Sequence, residues 1–440
     1  MLEWADSRTG VAGSTRKYVD KVFPNHWSFL LGEVTLYSFV ILVATGTWLA
    51  FFFDPSTAET TYEGSYAPLH GVEMTKAYAS ALELSFDVRA GLVMRQMHHW
   101  AALLFMAAMT AHLARTFFTG AFRKPRELNW IIGVVLLILG IVNGFAGYSL
   151  LDDQLSGTGL RIAYSVALSI PIAGTWMASL FFGGDFPGDE IINRLFVIHV
   201  YVVPIVIAVL LGAHLALVVA HKHTHFRGDG ATEDNVVGER LWPTYAAKAG
   251  GLFFLTAAVI ALLGGIAQIN PVWVYGPFRA ANVSTLSQPD WYMGWLEGAM
   301  RLMPGWEIRA FGFEVPNPFF PGVLIPGITF GALLAWPFLE ARFGKDHEEH
   351  HVLDRPRDRP LRTALGMATF AFYTVLGMGG ASDALAQLFD VSVNNVIRIL
   401  RVLLFVLPVV AAYVTRRLCL ELQARDRIEE PELERDLVDA

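Results

Sequence analysis

The chain is poor in cysteine and poor in charge. Among 440 residues Cys419 is the only cysteine, which excludes an internal disulfide, a protein-held iron–sulfur cluster and a Cys-x-x-Cys-His haem attachment. Any haem is therefore held without a thioether. Charged residues make up 17% of the chain and hydrophobic ones 54%, a balance too apolar for an ordinary soluble enzyme. The net charge is −7 and no basic tract interleaves with aromatics, so nucleic acid is excluded as a partner. No internal repeat or low-complexity tract stands out. The polar stretch before about residue 26 holds no short apolar core with a cleavage site, so no signal peptide is expected and the first span should itself direct insertion.

What is present is hydrocarbon-length apolar sequence. Runs long enough to cross roughly 30 Å fall near 29–53, 92–119, 129–150, 191–220, 246–268, 322–341, 363–380 and 396–415. These predict an all-α membrane protein of eight transmembrane helices, an N-terminal four-helix bundle followed by a C-terminal helical half. The expected divisions are a cytoplasmic N-terminal segment (1–28), a four-helix domain (29–221), a cytoplasmic linker (222–245), a C-terminal transmembrane domain (246–420) and a charged cytoplasmic tail (421–440). Lys and Arg concentrate in the segments that become cytoplasmic when the N-terminus is placed inside, as the positive-inside rule requires. Two connections on the opposite face are long: 151–190 carries an apolar stretch with Pro171, and 269–321 is rich in Pro, Trp and Gly. Long, partly apolar loops on one face point to function.

Four histidines lie inside these spans. His98 and His112 are fourteen residues apart, and His199 and His214 fifteen. Ionisable groups at membrane depth are costly and mark function. At 1.5 Å per residue, fourteen residues rise about 21 Å and return to nearly the same helix face. If the second and fourth spans run the same way, the histidines face one another at two levels. Each facing pair can hold an iron between two imidazoles, which suits electron transfer and leaves no open coordination position. One buried histidine alone would read as a satisfied core residue; four at two matched depths read as ligands to two non-covalent b-type haems.

Supporting residues repeat the spacing. Gly32 with Gly46, and Gly133 with Gly147, are again fourteen apart, removing side chains where a macrocycle edge must fit. Arg95, Arg115 and Arg194 each sit within about one turn of a proposed ligand and suit propionates, with snorkelling to headgroups as their other reading. His99 points about 100° away from His98 on a helix and reads as a packing or propionate-side residue.

On these residues, and on the Pro-Asp-Trp-Tyr motif from Pro289 to Tyr292, the chain resembles cytochrome b, the quinol-oxidising subunit of cytochrome bc complexes, over nearly its whole length. The motif looks closest to the actinobacterial type. The resemblance implies a low-potential outer haem on His98 and His199, a high-potential inner haem on His112 and His214, and a Q cycle coupled to proton translocation, with menaquinol the expected substrate. It implies a Rieske iron–sulfur protein and a c-type cytochrome subunit as partners in a dimeric complex of the bacterial plasma membrane, and admits a terminal cytochrome oxidase in a supercomplex. Asp290 is the expected proton acceptor for quinol, a partly desolvated carboxylate, with Tyr292 beside it. Pro289, Trp291, Tyr148 and Gly159 match quinol-pocket positions, although a Trp-Tyr pair also suits an interfacial turn.

The inner quinone site is assigned to His221 and Lys248 by position only, and His221, His223 and His225 read equally well as a solvated loop. Three departures from the mitochondrial pattern stand out. The fifteen-residue histidine spacing requires helix tilt or a local bulge to absorb about 100°. Glu297 stands five residues past Tyr292 where a tyrosine is expected, and is placed among the catalytic residues. Ala249 replaces an expected aspartate after Lys248, so proton uptake there falls to another group. The competing readings are the di-haem anchor of another quinone-linked oxidoreductase, which needs fewer spans and no PDWY segment, and a haem-free proton-coupled transporter.

Overall fold

The computed structural model describes Arg8 and residues 19–282, 288–310 and 312–438. Residues 1–7 and 9–18 of the expected N-terminal segment, and 439–440 of the expected tail, lie outside the described residues. Among the described residues eight helices are long and apolar enough to cross a membrane: 27–50, 91–118, 127–149, 191–220, 241–266, 320–344, 360–380 and 393–427. Each coincides with one expected run.

The first four spans, α1 (Leu30–Ala50), α3 (Gly91–Phe118), α4 (Glu127–Ser149) and α7 (Ile191–Ala220), form a bundle. Between α1 and α3 lies the short helix α2 (Lys76–Phe86), whose N-cap Thr75 accepts from the Tyr78 amide. Between α4 and α7 run α5 (Gln154–Leu168) and α6 (Gly174–Phe182). Asp153 caps α5 by accepting from the amides of Leu155 and Ser156. Ile172 and Trp176, 85% and 79% exposed, mark this connection as an apolar surface suited to the headgroup boundary.

The later spans are α8 (Ala246–Ile266), α10 (Ile325–Gly344), α11 (Pro360–Gly380) and α13 (Val393–Val438), joined by short helices α9 (Gly294–Leu302) and α12 (Ser382–Leu388). α8 packs on α1 and α3, and α9 sits against α11. The few strands are two-stranded antiparallel pairs that tie loops: β1 (Val22–Phe23) with β4 (Glu239–Arg240), β2 (Glu59–Thr61) with β3 (Glu73–Thr75), and β5 (Ile308–Ala310) with β6 (Phe313–Val315).

A packed layer fills the middle of the bundle. Phe39, Phe105, Met106, Met109, Leu136 and Ile207 are buried together there, and Gly140 brings α4 close enough that a Cβ would sit 3.0 Å from the Met106 sulfur. Tyr292, from the 269–321 connection, joins the same cluster. At the end of the bundle away from Asp290, Arg362 is nearly fully buried and ion-paired to Asp354 at 2.6 Å and Glu340 at 2.7 Å. Arg123 lies 3.4 Å from the same Asp354. A buried cation with two carboxylates is neutralised where it sits, and it fastens the α3–α4 turn to α10 and α11.

Candidate haem and quinol site

The second and fourth spans run parallel, and their histidines face one another at both levels. The His98 and His199 ring centroids are 6.1 Å apart at 81°, and those of His112 and His214 are 6.4 Å apart at 73°. Two imidazoles sharing one metal at about 2.0 Å from each ring nitrogen would place their centroids about 6.3 Å apart. Both pairs therefore fit a single iron between them.

The tautomers at the His98 level suit metal binding. Thr45 donates its hydroxyl to the Ile41 carbonyl, so the His98 Nδ1–H donates to Thr45 Oγ1 at 2.9 Å. His199 Nδ1–H donates to the Asn143 carbonyl at 2.9 Å. Each ring is thus left with a bare Nε2 lone pair, the state a metal requires. At the other level the His112 Nδ1 is buried with no hydrogen-bond partner among the described residues, and His214 lies beside the Asn129 backbone.

The fifteen-residue spacing on α7 is accommodated by a local π-turn. Residues Ile198–Val202 form one turn of wider helix, closed by the Val203 amide on the Ile198 carbonyl. That i→i+5 bond inserts one residue and restores the register, so His199 and His214 share a face as His98 and His112 do. Pro204, just beyond, has no N–H to lose from the ladder.

The four glycines meet the imidazoles themselves. A Cβ at Gly46 would lie 3.0 Å from His98 Cε1, one at Gly32 3.2 Å from His112 Cε1, and one at Gly133 3.8 Å from His214 Cε1; one at Gly147 would run into the His199 ring. Clearance for the macrocycle was the expectation from sequence; in the structure the glycines clear the imidazoles expected to hold it. Arg115 lies 4.1 Å from the Phe29 ring with Nε and Nη2 buried and without a hydrogen-bond partner among the described residues. Arg95 gives both Nη groups to the Asn270 carbonyl and keeps Nε unpartnered. Arg194 goes elsewhere, donating to the carbonyls of Ser179 and Leu180 on α6.

A cavity of about 240 Å³ runs from the His98–His199 pair to Asp290 and Tyr292, with Arg95 and Tyr148 in its wall. His99 also reaches it: its Nε2 donates to Asp290 Oδ1 at 2.8 Å, while the Tyr292 hydroxyl donates to Asp290 Oδ2 at 3.1 Å. The Tyr292 ring lies on Gly144, where a Cβ would leave it no room. Burial drives the Tyr292 phenol well above its ordinary pKa, with Asp290 adding to the effect, so it acts as a hydrogen-bond donor. His99 is the site residue that sequence reasoning missed; the cost of a second imidazole at membrane depth was the available signal.

Other expected site residues fall at varied places. Gly159 lies beside Tyr148, and Trp291 is 50% exposed. Glu297 is ion-paired to Arg301, which also holds Asp383 at 2.9 Å; burial pushes the Glu297 carboxyl up to about 7 against the pull of Arg301. At the far end Lys248 is bound to Glu239 at 2.6 Å and to Asn25. His221 offers its carbonyl to Arg126 and keeps Nδ1 buried and unpartnered. Among the described residues no cluster of three or more His, Cys, Asp or Glu could hold a separate metal ion.

Comparison with known proteins agrees with this geometry. Residues 103–277 match a family model described as Cytochrome b(N-terminal)/b6/petB. The chain is 52% identical over 427 residues to the "Cytochrome bc1 complex cytochrome b subunit" of Streptomyces coelicolor, covering 97% of this chain and 78% of that protein. The chain belongs to the cytochrome b family. The same-named subunit of Mycobacterium tuberculosis is 50% identical, with 96% and 77% covered. A solved structure titled "Hyperthermophilic respiratory Complex III" shares the fold at a TM-score of 0.69 and 20% identity, covering 94% of this chain and all of the other. Membership in the cytochrome b family brings respiratory electron transfer with it, and haem b as the cofactor. The ring separations, the bare Nε2 atoms and the buried Arg115 nitrogens fit that group.

Proposed function

We propose that this cytochrome b is the quinol-oxidising, transmembrane electron-transferring subunit of a bc complex, with two b-type haems per chain. His98 and His199 would hold the outer one and His112 and His214 the inner one, with Arg95 and Arg115 facing propionates. A bis-imidazole haem supplies reversible one-electron transfer with no vacant position for oxygen chemistry. The observation that carries the reading is the single cavity joining the His98–His199 pair to Asp290 and Tyr292.

In that cavity the chain's own groups handle the quinol proton. Asp290 accepts it, a carboxylate oriented on one oxygen by His99 and on the other by Tyr292. Tyr148 walls the pocket with Gly159 behind it, and Pro289 and Trp291 flank Asp290 in the quinol-binding segment. Glu297, buried beside Arg301, accepts a second proton on its way out. The Asp290 end faces outward and both termini are cytoplasmic, a reading the loop charge supports, and the membrane is the bacterial plasma membrane. Electrons leave the outer site along two branches, one to a Rieske iron–sulfur protein and then a c-type cytochrome subunit, the other across the bundle to reduce quinone near His221 and Lys248. This is a Q cycle, with menaquinol the substrate. The complex is dimeric and can join a terminal oxidase. The 29–221 domain carries the electron path and the 246–420 domain supplies the PDWY wall.

Asp290→Asn tests the reading in the assembled complex. Losing a general base should slow quinol oxidation by about 10²-fold with both haem bands intact. An unchanged rate would leave Asp290 a structural residue.

A further inference from the structure

A part-buried carboxylate sits between the first and fifth spans, at the end opposite Asp290. Glu33 lies six residues into the 27–50 span, roughly 9 Å along its axis, where a bare carboxylate is expensive and usually functional. It is bridged by two phenols. Tyr37, one turn further along α1, donates to Oε2 at 3.1 Å, and Tyr245, entering from the first turn of the fifth span, donates to Oε1. Its chain neighbour Gly32 is the glycine against His112, so Glu33 stands one residue from the contact with the inner ligand pair.

The surroundings of this pair are those of the expected inner quinone site. The Phe23 ring packs on Tyr245 at 4.6 Å and on His223 at 4.4 Å. Lys248, one turn after Tyr245, is occupied by Glu239 and Asn25. With Ala249 in place of an acid and Lys248 already neutralised, the conventional position offers no free proton donor. Glu33 is a carboxylate at the right depth, hydrogen-bonded from both sides.

We propose that Glu33, held by Tyr245 and Tyr37, is the proton-donating acid of the inner quinone site. The assignment rests on the reading above that quinone is reduced at this end. Quinone reduction takes two electrons, which the electron path proposed above supplies, and two protons. For each O–H bond formed on a quinone oxygen, one O–H bond of the Glu33 acid breaks. The resulting carboxylate accepts from the two phenols until a proton from the aqueous phase on that side restores the acid.

The test uses the assembled complex in membranes with the outer site inhibited and a short-chain menaquinone analogue as oxidant. Glu33→Gln keeps an acceptor oxygen for one phenol, turns an N–H toward the oxygen of the other, and carries no acid proton. It should slow re-oxidation of the inner haem by about tenfold or more, as loss of a positioned acid does, and Glu33→Asp should recover part of the rate. An infrared difference spectrum of inner-site reduction should contain a carboxyl band that Glu33→Gln removes, a readout independent of turnover. A Glu33→Gln complex with wild-type rate and an unchanged infrared spectrum would overturn the assignment. So would loss of the inner haem band in that variant, which would make Glu33 a packing residue. If the wild-type inner haem is not re-oxidised by quinone at all, the inner-site reading itself fails and Glu33 falls with it.

Discussion

His99 Nε2 lies 2.8 Å from Asp290 Oδ1, so the residue beside a proposed iron ligand reaches a carboxylate 191 positions further along the chain. Both side chains are largely buried, 15% and 16% exposed. The pairing joins the four-helix bundle to the PDWY segment proposed to accept the quinol proton.

His99→Ala should therefore free one oxygen of Asp290 and loosen its orientation. The expected outcome is quinol oxidation slowed by about tenfold or more, with the outer haem still bound through His98 and His199. His99→Gln, which retains a donor, should restore part of the rate. The check is steady-state quinol oxidation beside the reduced-minus-oxidised spectrum. A rate loss in His99→Ala that Gln does not mend would mean the imidazole acts by bulk alone.

The π-turn at Ile198–Val202 predicts an unusual tolerance. Deleting Val202 should remove the extra residue and leave a fourteen-residue, regular α-helical path from His199 to the second ligand. Both haems should still bind. The same deletion made at Leu215, beyond the ligands, should leave the ligand register untouched, whereas a deletion at Val209, inside the regular helix, should rotate His214 about 100° relative to His199 unless the π-turn is consumed. Loss of a haem from the Val202 deletion would show that the bulge positions more than register.

The glycines should not be equivalent. Gly133→Ala places its methyl at an ordinary contact distance, 3.8 Å from His214, and should keep the inner haem. Gly147→Ala drives a methyl into the His199 ring and should cost the outer haem. Counting haem per polypeptide in each variant decides it; equal retention would contradict the packing described.

Glu297 offers a pH signature. Its carboxyl is pushed up to about 7 by burial, so it is protonated below that pH and charged above it. If it passes quinol protons outward, the quinol-oxidation profile should carry a limb near pH 7 with the rate rising as the group deprotonates, and Glu297→Gln should abolish that limb. The sign for stability is the reverse. A carboxyl whose folded pKa is raised favours the folded state at low pH and withdraws that support as pH climbs from about 4 through 7.

Much of this was legible in the chain. Eight apolar runs became eight spans because hydrocarbon length is a one-dimensional constraint. The histidine and glycine spacings translated directly because a helix converts sequence interval into depth and face. What could not be read was three-dimensional. The fifteen-residue spacing called for tilt or a bulge, but that it is a bulge, and that it falls at Ile198–Val202, depends on a backbone choice that no side chain announces. His99 with Asp290, and Glu33 with Tyr245, join elements far apart in sequence, so periodicity carries no trace of them. Arg194 shows the limit of proximity along the chain: five residues from His199, it turns instead to the carbonyls of α6.

The central claim is that paired imidazoles hold iron at two levels of the bundle. Its most direct test is the dithionite-reduced minus oxidised spectrum of the purified complex, with haem counted per copy of this chain. The account predicts two b-type haems, the outer lost in His98→Ala and the inner lost in His112→Ala. A count of zero or one, or a His98→Ala complex that retains both haems and full quinol turnover, would contradict it.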